Sequence, residues 1–331
     1  MKEIEDILMN SNSENTSVPV KFTNSINMAL NKDKVGWRFN MKRRIGIVLV
    51  SLLLITSFVY AGYKFQDIFN FDKAGINDKG IQTAVENQYI QNIDMDYISK
   101  DDLEFKVDYL LMDDINFDLV FNFKTKDDIS NYQGIFLNNL LITDEQGNHI
   151  YMETEGAEHF NSYALLEGTN TIEKKGNIMR QVLFAYSDQF PKSKKIYVSF
   201  DGITLYRVEN GNADTKNIEG DWKLEFDVSK QLSDRKEIQY KTGNNKISET
   251  KLTNSGLIIT MNSELSNEKL KLIDDNKNEY NVVQTLTLVD REKGEYTTDK
   301  RAVIFDMTLY NQTNNIKLIS NTGETINLLK E

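Results

Sequence analysis

No cysteine occurs among the 331 residues, which excludes disulfides, thiol nucleophiles and thiolate metal sites. Any exported part must therefore be stable without covalent cross-links. Two histidines leave little material for an imidazole metal site or a His-dependent catalytic relay. Only two prolines are present, Pro19 and Pro191, so no collagen-like or Pro-rich stalk exists. A basic excess is lacking too, because the chain carries 39 Lys/Arg against 50 Asp/Glu, a net charge of −11. Residues 1–44 hold eight basic and five acidic groups, a net of +3, which leaves a net of −14 beyond residue 44. A surface that acidic repels phosphate backbones, and nucleic acid is not an expected partner.

What is present is one uncharged apolar run. Residues 45–63 read IGIVLVSLLLITSFVYAGY. As a helix rising about 1.5 Å per residue it spans roughly 28 Å, close to the ~30 Å hydrocarbon core of a bilayer. Ser51, Thr56 and Ser57 can bond back to helix carbonyls and do not disqualify it. Lys42, Arg43 and Arg44 precede the run, whereas Lys64 and Lys73 alone follow closely. By the positive-inside rule the N-terminus is cytoplasmic and the C-terminal part extracellular. Cleavage after Ala61 competes with anchoring. The leader would be 44 residues long and the apolar stretch exceeds a usual signal core, so anchoring is the reading adopted.

The tail of 44 residues has two short amphipathic stretches. Ile4, Ile7 and Leu8 recur at helical spacing, and Val18, Phe22, Ile26, Ala29 and Leu30 share a second helical face. Ser17 can cap that second helix and Pro19 suits its first turn. Neither stretch is long enough to be stable alone in water. Two roles fit the stripe Val18/Phe22/Ile26/Leu30: it rests on the inner leaflet of membrane lipid, or it folds into a groove on a partner protein. The tail is too short for a kinase, cyclase or DNA-binding domain.

After residue 64 the period changes. Asn77 or Asp78 can cap a brief helix through about Asn87. Leu103, Phe105, Val107, Tyr109 and Leu111 then alternate with polar residues, as in a half-buried strand. Similar strands are expected at 117–123, 178–186, 195–201, 222–228, 257–261, 303–309 and 316–319. Three hairpins are expected, turning at 144–148, 274–278 and 320–324, where Asn, Asp or Gly supplies positive φ or local hydrogen bonds. The spacing predicts a mainly β ectodomain of two immunoglobulin-like sandwich modules, 64–230 and 236–331, outside one transmembrane helix (45–63) and a cytoplasmic tail (1–44) with short helices. Polar residues 231–245 mark the boundary.

Several motifs resemble chemistry. Ser233-x-x-Lys236 and Lys241-Thr242-Gly243 match penicillin-recognising motifs, but five residues apart and in a linker they are coincidence. Asp274-x-Asn276-x-Asn278 begins like a calcium loop, yet Glu279 stands where Gly is needed and Thr285 where Glu is needed. His149, His159, Glu153, Glu155 and Glu158 lack zinc spacing and read as surface polar residues. Asp94, Asp96, Asp101 and Asp102 read as a solvated strand end. With no phosphate loop, nucleophile elbow or His-Glu-x-x-His, no catalytic or metal residue and no cofactor is expected.

The stretch 74–93, AGINDKGIQTAVENQYIQNI, with the strand pair through Thr125, resembles a domain of unknown function common in membrane proteins of low-GC Gram-positive bacteria. Residues 237–331 resemble the immunoglobulin-like unknown-function domain that often follows it, and the Val18-Pro19 helix opening is similar to the tail of such proteins. Members are frequently described as membrane-anchored anti-sigma factors, or effectors paired with an extracytoplasmic-function sigma factor. The resemblance therefore implies a sigma factor at the tail and an envelope ligand or protein at the ectodomain. The tail departs from the zinc-binding anti-sigma class in lacking its His and Cys ligands.

Overall fold

In the computed structural model the residues described are 78–100, 102–153, 162–209 and 212–331. The tail stripe, the cationic triplet and the apolar run 45–63 lie outside them. Among the described residues no helix is long and apolar enough to cross a membrane.

The chain enters through helix α1 (Lys79–Glu86), capped by Asp78, whose carboxylate accepts the N–H groups of Gly80 and Ile81. Strands β1 (Gln91–Asn92), β2 (Ile98–Lys100), β3 (Leu103–Met112), β4 (Asn116–Thr125), β5 (Gly134–Leu137), β6 (Leu141–Asp144) and β7 (His149–Met152) follow. Next come β8 (Leu166–Lys175), β9 (Ile178–Tyr186), β10 (Lys195–Glu209) and β11 (Asn212–Asp227), then the one-turn helix α2 (Lys230–Ser233). The remainder holds β12 (Tyr240–Lys241), β13 (Ile247–Leu252), β14 (Leu257–Asn262) and the short α3 (Ser263–Ser266). It ends with β15 (Leu270–Asp274), β16 (Glu279–Asp290), β17 (Glu295–Phe305), β18 (Asn315–Ser320) and β19 (Thr325–Lys330).

These strands form three antiparallel sheets, and the protein is mainly β. The first sheet runs β1-β3-β4-β9-β8 with β2 beside β3. The second runs β11-β10-β6-β7 with β5 beside β10, and the third runs β12-β19-β18-β15-β16-β17-β14-β13. The first two face each other across an aromatic core: Phe105 meets Phe121, Phe123, Phe200 and Trp222 at ring separations of 4.9 to 6.5 Å. Each such pair adds roughly 0.5–1.5 kcal/mol beyond its buried area.

The third sheet closes on a core of its own, because Leu257, Ile259, Val303 and Phe305 share a cluster with Leu272, Leu318 and Leu328 from the other end of its strand order. Period-two alternation sends the intervening residues the other way. Ile258, Leu286, Ala302 and Ile304 join the cluster of the first module instead. The first sheet is thus covered on both faces, and the strand expected to be half-buried at 117–123 is buried throughout.

The three expected hairpins are β6–β7, β15–β16 and β18–β19. They share one hydrogen-bond scheme, in which residues 147, 277 and 323 donate back to 144, 274 and 320. The donor has positive φ in each: Gly147 at 82°, Lys277 at 68° and Gly323 at 89°. Two expectations need correction. The strand drawn over 303–309 ends at Phe305, since Thr308 caps a 3-10 turn, Leu309–Asn311. The polar linker around 231–236 is docked: Leu232 and Arg235 are buried.

Candidate functional site

β4 reads N-F-D-L-V-F-N-F-K-T, and strand alternation puts its aromatics on the face toward the second sheet. The opposite face carries Asn116, Asp118, Val120 and Asn122, all buried. A polar stripe in the middle strand of a covered sheet is costly unless its groups are paired, so the partners of each group matter.

At the upper end Asp113 joins the first sheet to the third. Its Oδ1 accepts the N–H groups of Ile115 and Asn116 at 3.0 Å each. Its Oδ2 accepts the Ser255 N–H at 2.9 Å and the Ser255 hydroxyl at 2.7 Å, while Asn116 Nδ2 donates to Ser255 Oγ at 2.6 Å. Helix α1 packs on the same loop: a Cβ at Gly80 would lie 2.0 Å from the Ser255 carbonyl oxygen, so only glycine fits. Asp78 completes the junction, its Oδ2 accepting the Tyr186 hydroxyl at 3.0 Å. Nearby, Asp114 pairs with Arg235 at 3.0 Å, both side chains being almost wholly buried. Arg235 also donates to the carbonyls of Phe190, Pro191 and Leu232, so each of its three guanidinium nitrogens has a partner.

Asp118 differs. It is 1% exposed, and neither carboxyl oxygen has a hydrogen-bond partner. Burial, then the neighbouring charges of Asp78 and Asp113, hold its carboxyl well above the usual carboxylate range. Asp78 is pushed up to about 6, burial outweighing the hydrogen bonds from Ile81, Tyr186 and Gly80. Burial also raises Asp306, whose carboxylate accepts the Asn281 N–H at 2.7 Å. Burial, then Asp78 and Asp118, raises the Tyr186 hydroxyl. At the lower end of the stripe Asp108 accepts Asn122 Nδ2 and Arg180 Nε at 3.1 Å and pairs with Lys106 at 2.8 Å, while Asn122 Oδ1 has no hydrogen-bond partner.

The seam where α1, the first sheet and the loop 253–256 meet therefore gathers several buried acids, of which burial raises Asp78, Asp118 and Asp306. Asp113 and Asp78 are placed to hold elements together.

The motifs singled out in the sequence fall elsewhere. Val18, Phe22, Ile26, Leu30, Lys42, Arg43 and Arg44 lie outside the described residues, as do His159, Glu155, Glu158 and Asp101. His149 is on β7, and Glu153 accepts the Leu140 N–H at 3.4 Å. Among the described residues no group of three His, Cys, Asp or Glu is disposed to hold a metal. Asp274 turns its carboxylate back on the N–H groups of Asn276 and Asn278 and on the Tyr280 hydroxyl, the bonding of a turn. The junction itself was missed, although N-x-D-x-V-x-N inside an apolar strand is a visible signal.

No family model matches this sequence, and no curated protein matches it. Among solved structures the chain is similar to a conserved domain protein from Bacillus anthracis, with 12% identity, a TM-score of 0.46, and 76% of this chain and 83% of that one covered.

Proposed function

We propose that this chain is a membrane-anchored regulator, resembling an anti-sigma factor, with a single-pass helix at 45–63. Its tail holds an extracytoplasmic-function sigma factor through Val18, Phe22, Ile26 and Leu30, and its β body outside the cell senses an envelope ligand or protein. The body reads as two immunoglobulin-like modules, the first built from two facing sheets and the second from the sheet that closes on itself. The observation that carries the reading is the cationic triplet Lys42-Arg43-Arg44 directly before nineteen uncharged apolar residues. The junction adds support. Helix α1 is the first described element after the proposed span, and its Asp78 and Gly80 seat on Tyr186 and the Ser255 loop. Because that loop joins β13 to β14, a shift of the third sheet is felt at α1, the described element nearest the proposed span.

Affinity purification of the full chain tests this. The reading expects a sigma factor to co-purify with the wild type and to be lost in the Phe22→Asp, Ile26→Asp double variant. Retention in that variant counts against it. The half-exposed Phe136, stacked on the part-buried Tyr206, favours a second reading, a non-catalytic envelope-binding module with an inert tail. Deleting residues 2–32 separates the two, because the second reading expects unchanged transcription.

A further inference from the structure

The outer face of the second sheet carries aromatic side chains that the core does not use. In one row across it, Phe136 stands opposite Thr204 and Thr204 opposite Asn217; in the next row are Gly134, Tyr206 and Thr215. The Phe136 and Tyr206 rings stack at 4.7 Å and 25°. Gly134 permits this, since a Cβ there would lie 2.6 Å from the Tyr206 ring. Phe136 is nevertheless 50% exposed, and Val208, 48% exposed, extends the patch along β10. Phe136, the part-buried Tyr206 and Val208 thus form one contiguous patch rimmed by polar side chains, the arrangement of an interaction surface. Beside the rings, Thr204 Oγ1 lies 2.9 Å from the amide oxygens of both Asn138 and Asn217. Each amide also brings two N–H donors.

Charge selects the ligand class. Phe136, Asn138, Thr204, Tyr206, Thr215 and Asn217 are all uncharged, while the chain beyond residue 44 carries a net of −14. Polyanions are repelled by that field, and a purely apolar partner would leave the amide N–H groups of Asn138 and Asn217 without acceptors. A neutral pyranose matches both features: one C–H face lies flat on the negative face of an aromatic ring, and its hydroxyl rim pairs with amides. The geometry points to a saccharide-binding platform on the β5–β10–β11 face, with the exposed Phe136 ring as the stacking surface and Asn138, Thr204 and Asn217 as hydrogen-bonding groups. The ligand is a chain of neutral pyranose rings. This deepens the regulator reading by giving the class of its outer ligand. The sigma-factor co-purification is a separate readout, so either can fail alone.

The test uses the full chain in a detergent without a sugar headgroup, titrated calorimetrically with chitotetraose and with cellotetraose to about 10 mM. The expected result is saturable binding of at least one, weakened about tenfold or more in Phe136→Ala, with a sulfated oligosaccharide of equal length not bound. Phe136 is half exposed, so the variant is expected to keep the wild-type unfolding midpoint. Should it not fold, Asn217→Leu carries the same comparison. Absence of saturable binding by the wild type overturns the proposal. So does wild-type affinity in the folded variant, preference for the sulfated chain, or a self-association that Phe136→Ala abolishes in a protein that binds neither saccharide.

Discussion

Replacing Asp118 with Leu is expected to stabilise the protein. The side chain is buried, and neither carboxyl oxygen finds a partner. An unsatisfied buried polar group costs about 1–3 kcal/mol, and leucine has the same branched connectivity with nothing to satisfy. A gain of about 1–3 kcal/mol at neutral pH follows, less whatever strain the larger methyls introduce. Linkage makes the test sharper. The folded-state value of Asp118 is raised well above the ordinary 3.8 of a carboxyl in the unfolded chain. Between the two, the folded state keeps a proton that the unfolded state has released, so stability falls as pH rises, by up to about 1.4 kcal/mol per pH unit. Asp118→Leu removes that slope, and its advantage over the wild type grows as pH rises through that interval. Asp118→Asn, neutral at every pH, also loses the slope but keeps the polarity. Urea unfolding of the full chain in detergent micelles, followed by tryptophan fluorescence, reads all three, since Trp222 is stacked on Phe200 at 5.7 Å in the core. A leucine variant less stable than the wild type by more than about 1 kcal/mol, with a flat pH difference, would refute the reasoning: the carboxyl would then be charged and partnered in the folded state.

Breaking the buried pair should act in the opposite direction. Arg235→Met leaves Asp114 uncompensated and is expected to cost about 3–5 kcal/mol in the same urea assay, with most of the loss recovered when Asp114→Asn is added. At the tip of the second hairpin, Lys277→Gly relieves a side chain at φ 68° and should raise stability by about 1 kcal/mol. The equivalent positions in the other two hairpins already hold glycine, and no change in the Lys277→Gly urea midpoint would show that the turn carries no such strain.

Much of the architecture was legible locally. Apolar alternation marked β3, β9, β14 and β18, and Asp78 announced the start of α1, because such signals depend on neighbours in sequence. Strands such as Asn212–Asp227 and Glu295–Phe305 were harder to see in full. The half of β11 before Asp221 holds Ile218 as its one large apolar residue, and the outer half of β17 reads E-Y-T-T-D-K. These stretches are strands because they pair with β10 and β16, not because of what they bury. Arg235 was hidden for a similar reason. It sits in a polar stretch that reads as linker, and only its distant partners Asp114, Phe190 and Pro191 reveal its role.

The sequence by itself determined the mainly β character, the three hairpin turns, the helix cap and the charge asymmetry around an apolar run, since each arises from side chains a few positions apart. Only the tertiary structure decided that β4 is buried on both faces. That outcome depends on α1 and the third sheet covering a polar stripe, and burial there raises Asp78 and Asp118 above the usual carboxylate range. It also decided that Phe136 and Tyr206, seventy residues apart, stack on an open face. Burial and ring contact depend on which distant strands pair, which local periodicity does not encode.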